Sequence, residues 1–161
     1  MVLDWVSKKL NTVSRSSFCA ELRNQLEAAQ SSIHLSAALE ENCGRVKCPN
    51  ELRMRQDTGR LRTPIVLCGD NKGVYTATSA QNPKTPAEPT LKTHIKSLRS
   101  FVDKGLITAM AWIDNRDMVA DALTKGKTRR NELLALLNKG YWEVVNETLI
   151  WPKRSATTKP S

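Results

Sequence analysis

Four cysteines and two histidines are all the chain has of the two commonest zinc ligands, and they follow no metal-ligand spacing. Cys43 and Cys48 lack a second close pair, Cys19 and Cys68 stand apart, and His34 and His94 are isolated, which argues against a zinc site. No apolar run approaches the length of a membrane span. Met1 to Leu10 carries charges rather than the apolar stretch of a secretory leader. The corresponding expectation is an intracellular setting, cytoplasm or nucleus, with reduced thiols and no membrane partner. No internal repeat is visible, and 161 residues suffice for one hydrophobic core but not two. Acidic residues are in short supply. Sixteen Asp and Glu face 25 Lys and Arg, a net charge of +9. That imbalance favours polyanionic partners, nucleic acid first among them, although a basic balance also serves plain solubility.

Helix and strand periods then organise the chain. Val2 to Val6 reads as a short strand. Ser16 or Ser17 can cap a helix whose stripe is Leu22, Leu26, Ala29, Ile33 and Ala37. Asn42 to Thr63 has no periodicity and holds Arg45, Lys47, Arg53, Arg55, Arg60 and Arg62, so it reads as a basic loop. Ile65 to Cys68 is apolar throughout, as a buried strand is, and residues 71–81 can form a short helix ended by Asn82 and Pro83. A helix from about Thr90 carries Leu91, Ile95, Leu98 and Val102 and ends at Gly105. Leu106 to Ile113 reads as a central strand. Asp114 and Asn115 turn it into a helix with Met118, Val119 and Leu123. Lys125, Lys127, Arg129 and Arg130 form a basic junction, Leu133 to Leu137 a further helix, and Tyr141 to Val145 with Thr148 to Trp151 a hairpin about Asn146 and Glu147. The expected domains are an α/β domain over 1–140, a C-terminal hairpin over 141–151 and a disordered tail over 152–161.

Glu21, Asp70 and Asp121 share one topological position, just beyond a strand or early in the helix that follows. In open α/β sheets, acids delivered to the carboxyl ends of different strands can converge. Converging carboxylates repel unless a hard divalent cation such as magnesium neutralises them, and a pair of such ions suits phosphodiester cleavage. Each acid also has an ordinary structural reading: Asp70 as a helix cap, Glu21 as a first-turn acid and Asp121 as a solvated face residue.

The wording of four segments is more specific than their spacing. DWVSKKLNTVSRSSFCAEL, Asp4 to Leu22, resembles the copia-type signature in which a tryptophan-bearing strand and SSKK lead into SSTEAEY, with Glu21 at the signature's glutamate. IVLCGDN is similar to that family's strand followed by CDN, with Gly69 additional, and sets Asp70 at a metal-binding aspartate. THIKSLRSFVDKG is similar to its KHI-containing helix, and WIDNRDMVADALTK resembles the block ending in ADxLTK, which selects Asp121 over Asp114 and Asp117. The four blocks stand in family order over residues 4–125. An integrase core orders its acids differently, with the glutamate last.

The resemblance is therefore to the ribonuclease H domain of copia-type LTR retrotransposon Pol polyproteins. It implies a ribonuclease H-like mixed sheet with flanking helices and two Mg2+ ions held by Glu21, Asp70 and Asp121 as catalytic residues. The implied reaction is hydrolysis of RNA in an RNA/DNA hybrid. The family carries its first aspartate on a strand before the tryptophan strand, and here that tryptophan is Trp5, so the first two strands are expected to be lacking. Asp4, beside Trp5, is no substitute, and Leu22 replaces the tyrosine after the glutamate. The expectation is an isolated chain without turnover, completed by an upstream reverse transcriptase segment or another chain. The alternative is a non-catalytic transposon remnant that binds nucleic acid weakly and nonspecifically through Arg45 to Arg62 and Lys125 to Arg130. His94 is assigned to structure or to a phosphate.

Overall fold

The computed structural model describes residues 16–81, 89–121 and 131–152. Helix α1, Ser17–Asn42, begins where the Ser16 hydroxyl accepts the Cys19 N–H at 3.2 Å. Its stripe packs as the period predicts. Leu22 and Ala29 are fully enclosed, Ala37 is buried, and Leu26 and Ile33 lie partly covered against the core. Three polar residues share that buried face, Gln25, Ser36 and Glu40.

The stretch read as a loop contains a helix, α2, Pro49–Asp57. None of its residues is buried, so no apolar period betrays it. Polar fixation holds it instead: Pro49 in the first turn, Glu51 accepting the Lys47 N–H at 2.8 Å, and Arg55 bridging to Glu40 on α1.

Strand β1, Val66–Gly69, pairs in parallel with β2, Ala109–Ile113, which pairs antiparallel with β3, Thr148–Trp151. The result is a small three-stranded mixed sheet, in the order β1-β2-β3, flanked by helices. β2 is central as expected, with four of its five residues buried. β1 is not buried on both faces: Val66 is 53% exposed beside a covered Leu67. Among the described residues β1 has a strand neighbour on one side only, and an edge strand needs only one apolar face. The expected hairpin does not form. Residues 141–147 are irregular, and β3 joins the main sheet through Met110↔Trp151 to Ile113↔Thr148.

Between the parallel strands run α3, Lys72–Ser79, capped by the Asn71 side chain on the Val74 N–H, and α4, Pro89–Asp103. Leu91, Ile95, Leu98 and Val102 of α4 join Leu22, Ile65, Leu67, Val74, Ile107 and Met110 in one core. Arg99 fastens the end of α3, donating to the carbonyls of Thr78 and Ala80, and its guanidinium lies over Trp151. A short 3-10 turn, Asn115–Asp117, follows β2, and helix α5, Asn131–Lys139, precedes β3 with Leu134 and Leu137 exposed. Two turns meet at the amino ends of β1 and β2. Gly59, at φ +64, approaches Lys104 so closely that a Cβ there would lie 1.6 Å from the Lys104 carbonyl oxygen. Leu123, Asn82, Pro83, Val2 to Val6 and the tail from 153 onward lie outside the described residues.

A candidate functional site at the carboxyl edge

Because β1 and β2 are parallel, their carboxyl ends reach the same edge, with Gly69 opposite Trp112. Asp70 leaves β1 there, half-buried, and its backbone carbonyl accepts the Trp112 indole N–H at 2.8 Å. Asn71 caps α3, so the capping role offered for Asp70 belongs to its neighbour.

Helix α1 brings Glu21 to this edge by running antiparallel to β1. Ser36 donates its hydroxyl to the Thr63 carbonyl before the strand, whereas Gln25 lies against Gly69 at the strand's end and Phe18 against Gly73 beyond it. Glu21 lies one turn from Gln25, about 6 Å further along the axis, at the level between Gly69 and Gly73. It is half-buried at the border of the stripe and engages a partner of its own.

Three aspartates follow β2, in different states. Asp114 is clamped by Arg116, which donates its backbone N–H, Nε and Nη2; these bonds and the adjacent guanidinium charge hold the carboxyl at about 2. Asp117 is buried, with one oxygen accepting the Asn146 N–H at 2.7 Å and the other its side-chain amide at 3.0 Å. Asp121 is half-buried, two residues past Val119, and engages a partner. The expectation for Glu21, Asp70 and Asp121 is a shared space with oxygens close enough for two bridging ions. Among the described residues, no three His, Cys, Asp or Glu side chains form a group able to hold a metal ion. Glu21 and Asp70 are carried toward the same edge, but with Asp121 they are not preassembled as a three-carboxylate site among the described residues.

The basic residues of 45–62 lie at the other end. They surround the C-terminal end of α1 and the amino end of β1, and Glu40, their centre, is about 28 Å along α1 from Glu21. Arg55, expected to bind nucleic acid, is spent internally: its guanidinium donates to Glu40 at 2.8 Å and to Glu51 at 2.7 Å and is 13% exposed. Arg45 contacts Glu40 at 3.6 Å and the Thr63 hydroxyl at 3.2 Å. Lys47, Arg53, Arg60 and Arg62 present exposed side chains, although the Arg62 backbone N–H also serves Glu40. Burial pushes the Glu40 carboxyl up, but the Arg62 N–H and the Arg55 guanidinium outweigh it and hold the group below the usual range. Lys125, Lys127, Arg129 and Arg130 lie outside the described residues.

Charge is divided unevenly along the sequence. The described residues hold 14 Lys and Arg and 14 Asp and Glu, so the net +9 belongs to the remaining segments. Sequence reasoning missed Gln25, Glu40 and the Asp117–Asn146 tie; the burial of a polar residue on an apolar helix face and a partner 29 positions away leave no periodic trace. Cys19 is buried, Cys43 and Cys48 are exposed, and burial pushes the Cys68 thiol up. His94 sits on α4 with its Nδ1 buried and unpartnered. No helix among the described residues is long and apolar enough to cross a membrane. Comparison with known proteins finds no matching family model, no matching curated protein and no matching solved structure.

Proposed function

We propose that this chain is a ribonuclease H-like domain of a copia-type retrotransposon polyprotein, whose family reaction is divalent-metal-dependent hydrolysis of RNA in RNA/DNA hybrids. The observation that carries the reading is topological. Glu21 and Asp70, matched to the family by the wording around them, come from different elements to the carboxyl edge of a parallel strand pair, where α/β sheets bind ligands. Two carboxylates at one edge supply hard oxygen ligands of the kind Mg2+ takes, and Asp121 is the third in the resemblance. The family reading wants a further aspartate, which a reverse transcriptase segment or another chain would supply. On this reading the isolated chain binds hybrid without cleaving it, because a two-metal site short of a ligand leaves like charges uncompensated and the attacking water unpositioned.

A second reading, a non-catalytic nucleic-acid-binding remnant, draws on the lack of a gathered three-acid group among the described residues. Cleavage of a labelled hybrid in Mg2+ separates the two. The chain joined to an aspartate-bearing strand segment should cleave, and Asp70→Asn should abolish that cleavage. A joined protein that binds hybrid but never cleaves it leaves only the remnant, and cleavage indifferent to Asp70→Asn removes this edge as the site.

A further inference from the structure

At the carboxyl edge, two cations immediately flank the aspartates that follow β1 and β2. Arg116 is consumed by Asp114. Lys72, two residues past Asp70, enters no ion pair among the described residues, and its ammonium stands 4.6 Å from the centroid of the Trp112 ring. The ring beneath that ammonium is held by the fold. Trp112 is held by its indole N–H on the Asp70 carbonyl and by its place opposite Gly69 in the sheet, and Lys72 leaves the first position of α3 directly after the Asn71 cap. The lysine is exposed, so the charge is accessible.

A cation seated on an indole face keeps its hydrogens available for an anion, since the ring satisfies the charge without offering an oxygen acceptor. Two residues before it lies Asp70, which would repel a bare anion. A ligand that suits both is one whose negative groups are spaced along a chain, so that one meets the ammonium while the next lies beyond it. A nucleic-acid backbone has that form, and Lys serves phosphates as a point charge. We propose that Lys72, seated on Trp112, is the positioning residue of this edge and receives a backbone phosphate of a bound RNA/DNA hybrid next to Asp70. This rests on the nucleic-acid reading above and adds a contact that the basic residues of 45–62, at the opposite edge, cannot make.

The test is hybrid binding in EDTA, where cleavage plays no part, followed by anisotropy of a labelled short hybrid and by tryptophan emission. Lys72→Gln should weaken binding about tenfold at low salt, with the gap closing toward high salt, and reduce the log–log salt slope by about 0.9, the contribution of one phosphate. Lys72→Arg should keep the wild-type slope, and Trp112→Phe should remove most of the emission change on binding. Wild-type affinity and slope in Lys72→Gln, with the wild type binding hybrid, would overturn this contact alone. No hybrid binding by the wild type would overturn it together with the nucleic-acid reading, whereas failure of the joined protein to cleave would leave it standing.

Discussion

Gly69→Ala is the smallest change that reaches the candidate site from inside. A Cβ at Gly69 would lie 1.9 Å from Gln25 Nε2 and 3.0 Å from Gln25 Cδ, so the carboxamide of Gln25 occupies the hollow that the glycine leaves. Gln25 is only 8% exposed, so close packing around it limits where the carboxamide can move. Overpacking of this kind costs about 1–3 kcal/mol, while alanine in a strand recovers about 0.5–1 kcal/mol of backbone entropy, so the net loss should be about 1–2 kcal/mol. In this chain that corresponds to a fall in Tm of about 3–8 °C. Gln25→Ala should relieve the clash, and it also removes a buried carboxamide oxygen that has no hydrogen-bond partner. Urea unfolding of the two single variants and the double should therefore show a coupling of about 1 kcal/mol or more. An additive cycle, or a neutral Gly69→Ala, would refute the claim that these two residues fill one space.

Glu40→Gln should be the most damaging polar substitution. It removes the charge that faces Arg55, which keeps Glu51 at 2.7 Å, so the loss should stay below that of a stranded buried charge, at about 2–3 kcal/mol; chemical denaturation measures it, and a loss below about 1 kcal/mol would count against the burial. Asn146→Ala should cost about 1–2 kcal/mol by removing the side-chain amide bond to the buried Asp117 carboxylate while the backbone N–H bond stays, and hydrogen exchange should then rise across β3 before β1. Asp114 contributes stability that is present above its ordinary value of 3.8 and is lost as pH falls through about 2, because its folded-state carboxyl is depressed. Carboxyl NMR titration should find that value returning toward 3.8 in Arg116→Ala, and an unchanged value would rule out the clamp.

What the sequence made legible was what local periodicity controls. The α1 and α4 stripes and the central β2 each bury a face that is continuous in sequence, so Leu22, Leu98 and Met110 could be placed inside before any contact was known. α2 was opaque because its fixation is polar and distant: Arg55 reaches back 15 residues to Glu40, and no apolar residue of the helix is buried. β3 was misjudged for a related reason. The β-branched and aromatic residues of Thr148 to Trp151 announce a strand but not its partner, and pairing with β2 wins because that strand offers a buried apolar neighbour, whereas residues 141–145 are mostly exposed. At the candidate site the wording of the motifs led to Glu21 and Asp70. It could not show that Asn71 takes the cap, that Arg116 closes on Asp114, or that Trp112 and Lys72 assemble beside Asp70, since each depends on side chains meeting across elements.

The charge distribution bears on how such an edge could hold a polyanion at all. With 14 cations against 14 acids, the described residues have no net attraction for phosphate, and the carboxyl edge with Glu21 and Asp70 would oppose it. The excess of +9 lies in 1–15, 122–130 and 153–161. Long-range attraction of that kind falls off within a Debye length, about 8–10 Å at physiological salt, and fixes no register. Register requires a charge whose position the fold sets, and beside Asp70 that charge is Lys72 on Trp112.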